Sequence, residues 1–223
     1  PKKWDATKIL ISVYGIASGM AYLHSLNILH RDLKPQNVFF DKHLFPKIGD
    51  FGLALELGNN DLFKDESQVG TPLYMPPEIL SSPFIYTKAS DVYAFSILLY
   101  EIITLQSPFK GYSTYKMWKE VENGIRPKFE MDIPKCYKNL IEKCWSNEPK
   151  KRPSFDEIVD LLENNEEFIT DEINCDEYYD YIDYIKDNKS CDSFPQIALD
   201  YNELDQMDKK NTILNITKID LNQ

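Results

Sequence analysis

The sequence is short of cysteine, glycine and histidine, and positive charge is not in excess. Its four cysteines, Cys136, Cys144, Cys175 and Cys191, form no C-x-x-C pair and fall well below the density of a small secreted disulfide scaffold. They are expected to be free thiols in a reducing compartment, which places the protein in the cytoplasm. No charged-then-apolar leader and no uninterrupted apolar run of about 18 residues occurs, so neither a signal peptide nor a membrane partner is expected. The formal net charge is −11. That balance excludes nucleic acid as the main partner, because phosphate-backbone readers present a positive face. The chain opens on Pro1, not Met, and a fragment of a longer protein is therefore expected.

What is present suffices for a sizeable core: 43% of the 223 residues are hydrophobic and 13% aromatic. The charge is unevenly placed. Residues 164–223 hold 15 acidic and 5 basic side chains, whereas residues 1–163 hold 21 and 20. This shift suggests a first domain over 1–163 and an acidic extension over 164–223, through which a regulatory partner could act.

Apolar residues at Ile9, Val13, Ile16, Ala17, Met20 and Leu23 recur at spacings of three and four and predict a helix over 5–26. Gly15 and Gly19 inside it are expected to let another helix approach closely. "VFF" (38–40) and "PKIGD" (46–50) read as two short strands of a hairpin. A stretch without periodicity from Gly58 to Leu80 reads as a long functional loop. "DVYAFSILLYEIIT" (91–104) is apolar nearly all round and predicts a buried helix. Amphipathic helices follow over 113–124, 137–146 and 154–165, the last started by the Ser154/Glu157 capping box. In the extension, Tyr178, Tyr181, Ile182 and Ile185 predict a helix within 173–190. Residues 188–223 are expected to be loosely ordered, with a weak strand in "NTILNITKI" (211–219).

The chemistry is concentrated in "ILHRDLKPQN" (28–37), followed by Asp50-Phe51-Gly52. These residues resemble the H-R-D-L-x-x-x-N and D-F-G loops of eukaryotic protein kinases. "GTPLYMPPE" (70–78), "DVYAFSILLYEI" and "CWSNEPKKRPSF" (144–155) resemble, in family order, the end of the activation segment, the central helix and the closing element of the large lobe. The resemblance covers about 1–163. It implies a protein-kinase-like fold, a mainly α large lobe with a short β-hairpin. No G-x-G-x-x-G and no V-A-I-K-like strand precede His30, so the small β-rich lobe is expected to be absent from this chain.

Phosphoryl transfer asks a protein mainly for positioning and charge neutralisation. By resemblance, Asp32 accepts or orients the substrate hydroxyl proton, and Lys34 offsets charge near the transferred group. Asn37 and Asp50 supply the hard oxygens that Mg2+ prefers, against ATP. Phe39 is expected to floor the adenine site, where Leu is more usual. His30 and Phe51 are expected to pack the two loops, and Asp91 to accept backbone hydrogen bonds from the catalytic loop or cap its helix. Glu78 and Arg152 resemble the ion pair that ties down the activation segment. Arg31, helped by Lys47, is expected to bind a phosphate on the activation segment, with Ser67 the candidate acceptor and Thr71 a support for Asp32. Lys34 in "DLKPQN", together with "GTPLY", points to serine/threonine protein substrates and to the tyrosine-kinase-like group. Two other readings stand beside the kinase: a catalytically inert lobe serving as scaffold or regulator, and a small-molecule phosphotransferase. The second fits less well, because "GTPLYMPPE" resembles a peptide-docking element.

Overall fold

The computed structural model describes residues 4–58 and 60–189. The expectations for 190–223, including the strand at 211–219, lie outside the described residues. The element order is α1 (Ala6–Ser25), β1 (Ile28–Leu29), β2 (Val38–Phe40), β3 (Pro46–Ile48), β4 (Leu55–Glu56), β5 (Leu62–Asp65), β6 (Phe84–Thr87), α2 (Lys88–Thr104), α3 (Thr114–Glu122), α4 (Lys135–Cys144), α5 (Phe155–Asn164) and α6 (Cys175–Lys189). Short 3-10 turns at 35–37, 51–53, 72–74, 77–79, 149–151 and 166–168 join them.

Helix α1 begins where Asp5 accepts the Lys8 N–H at 2.9 Å, satisfying one of the free donors of the first turn. By length and hydropathy it could cross a membrane, but 72% of its apolar 18-residue window is buried inside the lobe, where its side chains form core. Leu10, Val13, Tyr14, Ile16, Ala17 and Met20 are fully enclosed. Helix α2 is the second core element, with Val92, Tyr93, Phe95, Ile97, Leu98 and Leu99 buried. It starts at Lys88, three residues before the expected Asp91, because extended Thr87 donates its N–H to Ser90 Oγ at 3.1 Å. Helix α5 opens as read, with Ser154 and Glu157 exchanging hydrogen bonds of 3.1 and 2.7 Å.

Three antiparallel pairs make up the strands: β1 with β4, β2 with β3, and β5 with β6. In the hairpin, Val38 faces Ile48 and Phe40 faces Pro46 on one side of the ladder, while Phe39 and Lys47 share the other. The long loop expected over 58–80 is corrected in part. Leu62–Asp65 pairs with Phe84–Thr87 and hangs the activation segment on the start of α2.

The reading of Gly15 and Gly19 holds in part: helix α6 and strand β3 share the space at Gly15, and β3 takes that at Gly19. A Cβ at Gly15 would meet the Tyr181 hydroxyl of α6 and lie 2.5 Å from Pro46 Cγ, and one at Gly19 would lie 2.8 Å from Ile48 Cδ1. The apolar core does not stop at residue 163: Tyr178, Tyr181 and Ile182 of α6 belong to it.

Candidate active site

The catalytic loop follows β1 and rests on α2. Asp91, one turn into α2, is almost wholly buried and accepts the N–H groups of His30 and Arg31, each at 2.9 Å. Its Oδ2 also accepts His24 Nε2 at 2.9 Å. Burial pushes the Asp91 carboxyl up, but the hydrogen bonds and positive charge around it prevail and hold it below the ordinary carboxylate range. Asp91 therefore acts as a receptor for backbone, and Thr87 precedes the helix instead.

With its base fixed, the loop turns through Arg31, whose φ of 64° is left-handed and unusual for a side chain of that size. Asp32 follows, buried at 8% exposure. Its Oδ1 accepts Thr71 Oγ1 at 2.6 Å, and its Oδ2 accepts Lys34 Nζ at 2.6 Å. Lys34 Nζ also donates to Thr71 Oγ1 at 2.8 Å. Asn37 Nδ2 donates to the Asp32 carbonyl at 2.8 Å and to Oδ2 at 3.2 Å. Asp32, Lys34, Asn37 and Thr71 thus form one hydrogen-bonded group.

Asp50 follows β3, at the same end of the antiparallel hairpin as Asn37. Gly49 donates its N–H to the Asn37 carbonyl at 2.9 Å, so the backbones flanking the two expected metal ligands are joined. The Asp50 side chain is exposed and its φ is 61°, left-handed like that of Arg31. Such conformations cost of order 1–3 kcal/mol and persist where surroundings over-determine them. His30 packs between these loops: Nε2 donates to the Gly49 carbonyl at 3.0 Å, Nδ1 accepts the Asp32 N–H at 3.3 Å, and the ring lies 5.4 Å from Phe51. Phe39 is half-buried on the hairpin face opposite α1.

In the activation segment, Arg31 Nη1 donates to the Asp65 carboxylate of β5 at 2.9 Å. Arg31 Nε also donates to the Leu53 carbonyl at 2.6 Å, and the guanidinium lies over the Tyr86 and Phe63 rings. Asp65 in turn accepts the Ser67 N–H and hydroxyl, each at 3.2 Å. Lys47 faces Asp41, 3.9 Å away. Further on, Glu78 and Arg152 form a bidentate pair at 2.6 and 2.8 Å, with Arg152 fully enclosed over Tyr93 and also donating to the Ser146 and Ala89 carbonyls.

Two contributors escaped the sequence reading. Asp65 sat in a segment read as loop, although "FIYT" (84–87), a β-favouring run, offered it a partner strand. Glu101, the one carboxylate near the end of an otherwise apolar helix, accepts Tyr74 OH at 2.6 Å and anchors the turn after Thr71. A buried carboxylate always needs such a partner, and that was its signal.

The lobe thus carries a carboxylate, an amine and a carboxamide locked together on one loop that leads into a two-stranded hairpin. The family profile for protein tyrosine and serine/threonine kinases matches residues 1–162, and the chain belongs to that family. It is 39% identical over 161 residues to a Dictyostelium discoideum protein named as a serine/threonine-protein kinase, covering 72% of this chain and 12% of that protein. From the same organism, a LIM domain-containing serine/threonine-protein kinase is 40% identical over 156 residues (70% and 23%), and the RGS domain-containing serine/threonine-protein kinase A is 41% identical over 150 residues (67% and 13%). The chain spans under a quarter of the length of each of these relatives.

Proposed function

We propose that this chain is the large, C-terminal lobe of an ATP- and Mg2+-dependent serine/threonine protein kinase of the cytoplasm. The observation that carries the reading is the Asp32 carboxylate, held on both oxygens by Thr71 and Lys34 and flanked by Asn37. A side chain fixed in this way needs no reorganisation as a substrate hydroxyl arrives. Asp32 orients that hydroxyl and receives its proton, and Lys34 balances negative charge beside it. Lys34 and Thr71, bridged at 2.8 Å, also form the wall against which a Ser or Thr side chain would seat.

The residues fit Mg2+. Asn37 spends its Nδ2 on Asp32, which leaves Oδ1 as a ligand, and Asp50 offers an exposed carboxylate next to it in the chain path. Magnesium prefers such hard oxygens, one or two from protein with the remainder from phosphate and water. When bound it neutralises the phosphates of ATP. The acidic residues 164–223 stand as a contact for a regulatory partner.

The test is phosphate transfer from ATP to casein in Mg2+, with phosphoamino-acid analysis of the product. Transfer to Ser and Thr is expected from the longer kinase that contains this lobe, falling at least about 100-fold in Asp32→Asn and in Asp50→Ala, whereas the lobe alone should be inactive or very slow. No Mg2+-dependent ATP binding, and no difference between wild type and Asp50→Ala, would instead establish the inert scaffold.

A further inference from the structure

We propose that helix α6, acting through Tyr181, is a positioning element for the hairpin that carries Asn37 and Asp50. This rests on the reading that those two residues hold the metal. The family match ends at residue 162, so α6 is an addition to the family's lobe.

The hairpin has strands of three residues each. A two-stranded unit of that size is marginal alone, so packing must set its place. One face lies on α1, with Pro46 over Gly15 and Ile48 over Gly19. At the turn end, α6 closes over it. Tyr181, 2% exposed, puts its hydroxyl against Gly15 beside Pro46, and its ring centroid lies 4.5 Å from that of Phe45. Tyr184 adds a second ring 5.6 Å from Phe45. The turn is thereby gripped between two helices.

The grip is anchored. Glu177 pairs with Lys8, Tyr178 OH donates to the Leu162 carbonyl at 2.9 Å, Lys186 pairs with Glu163 at 2.7 Å, and the Asn174 N–H donates to Thr7 Oγ1 at 2.9 Å. From Pro46 the chain runs only four residues to Asp50, and the Gly49–Asn37 hydrogen bond ties the two strand ends together. A shift at Phe45 and Pro46 therefore has no slack before it reaches the metal-holding pair. Tyr181 is a positioning residue, touching neither nucleotide nor metal.

The test uses the full chain as wild type, Tyr181→Ala and Tyr181→Phe, with residue-resolved amide exchange and Mn2+ broadening of the Asn37 and Asp50 amide signals. In Tyr181→Ala the amides of Asp41 and Gly49 should exchange about tenfold faster, the scale of one lost aromatic pair, while those of Leu140 and Ile141 in α4 stay unchanged. The Mn2+ midpoint should rise several-fold. Tyr181→Phe, which keeps the ring, should restore both. Acceleration spread evenly over hairpin and α4, or an unmoved hairpin, overturns the proposal. If Tyr181→Ala does not fold, Phe45→Leu removes the same contact from the hairpin side, and the same local pattern is required. Broadening absent from wild type, with the hairpin still loosened in the variant, would remove the metal reading and leave the α6 coupling intact.

Discussion

Glu101→Gln should make the lobe more stable at alkaline pH and leave it unchanged in mild acid. Glu101 lies on the buried helix α2 at 8% exposure, with Tyr74 OH its hydrogen-bond donor at 2.6 Å. Burial raises its carboxyl from an ordinary 4.5 to about 7, against the opposing pull of that hydrogen bond. The folded protein therefore binds this proton more tightly than the unfolded chain. Between pH 4.5 and 7 the unfolded state ionises first, so stability falls as pH rises through that window and is flat above it. The difference between 4.5 and about 7 is about 2.5 pH units, and at 1.36 kcal/mol each this comes to about 3 kcal/mol. Glutamine keeps an oxygen for Tyr74 and carries no charge, so the variant lacks the fall. Urea denaturation followed by tryptophan fluorescence at pH 5, 6, 7 and 8 should show the two proteins diverging to about 3 kcal/mol by pH 8. Parallel curves, or a variant less stable than wild type at pH 8, would show that Glu101 is ionised without cost and would falsify the burial argument.

Two further substitutions bear on the activation segment. Arg152→Ala strands Glu78 beside an enclosed cavity, and a loss of about 3–5 kcal/mol should appear in urea titrations, with Arg152→Lys recovering only part because an ammonium cannot bridge both carboxylate oxygens; a loss under about 1 kcal/mol would mean water screens the pair. Asp65→Asn removes the anion facing Arg31, and proteolysis within 60–69 should speed up several-fold. Asp65 is held below the usual carboxylate range, first by the Ser67 N–H and then by Arg31. Its contribution is thus present above the ordinary carboxylate pKa and lost only as pH falls through the depressed value, so wild type should keep its protection at pH 5.

Much of this lobe could be read from sequence because its chemistry is local. Capping at Ser154 and Glu157, the spacing of apolar residues on α1, and the unbroken apolar run of α2 each express a rule spanning a few residues. What escaped depends on distant partners. Strand β5 has two outward and two half-buried side chains, an ambiguous pattern until Phe84–Thr87 is beside it. Gly15 and Gly19 announced a close approach, but that both a strand and a helix would use it depended on Pro46 and Ile48, some thirty residues later, and on Tyr181 of α6. The Arg31–Asp65 contact was likewise not foreseen, because it depends on the pairing of β5 with β6. The site residues were legible as a set because Asp32, Lys34 and Asn37 lie within six positions; their mutual hydrogen bonds were not.

The catalytic loop's shape is imposed from below. A left-handed Arg31 costs roughly 1–2 kcal/mol, and the Asp91 carboxylate offsets it by accepting two backbone N–H groups, a charge-assisted type of bond contributing about 1.5–3 kcal/mol each. Those bonds come from α2, the most buried helix of the lobe, and Thr71 and Lys34 then fix Asp32 from the activation segment and the loop itself. Among the described residues, the hydrogen bonds to the Asp32 carboxylate and those from Asp91 to the backbone of its loop are therefore all made within residues 30–91. The hairpin is different: it is thin, its support comes from α1 and α6, and it carries the oxygens that would meet the metal. Acid–base geometry and metal geometry thus rest on separate foundations in this chain. Damage at Asp91 or Thr71 should act on the transfer step, whereas damage at Tyr181 or Phe45 should act first on the affinity for metal.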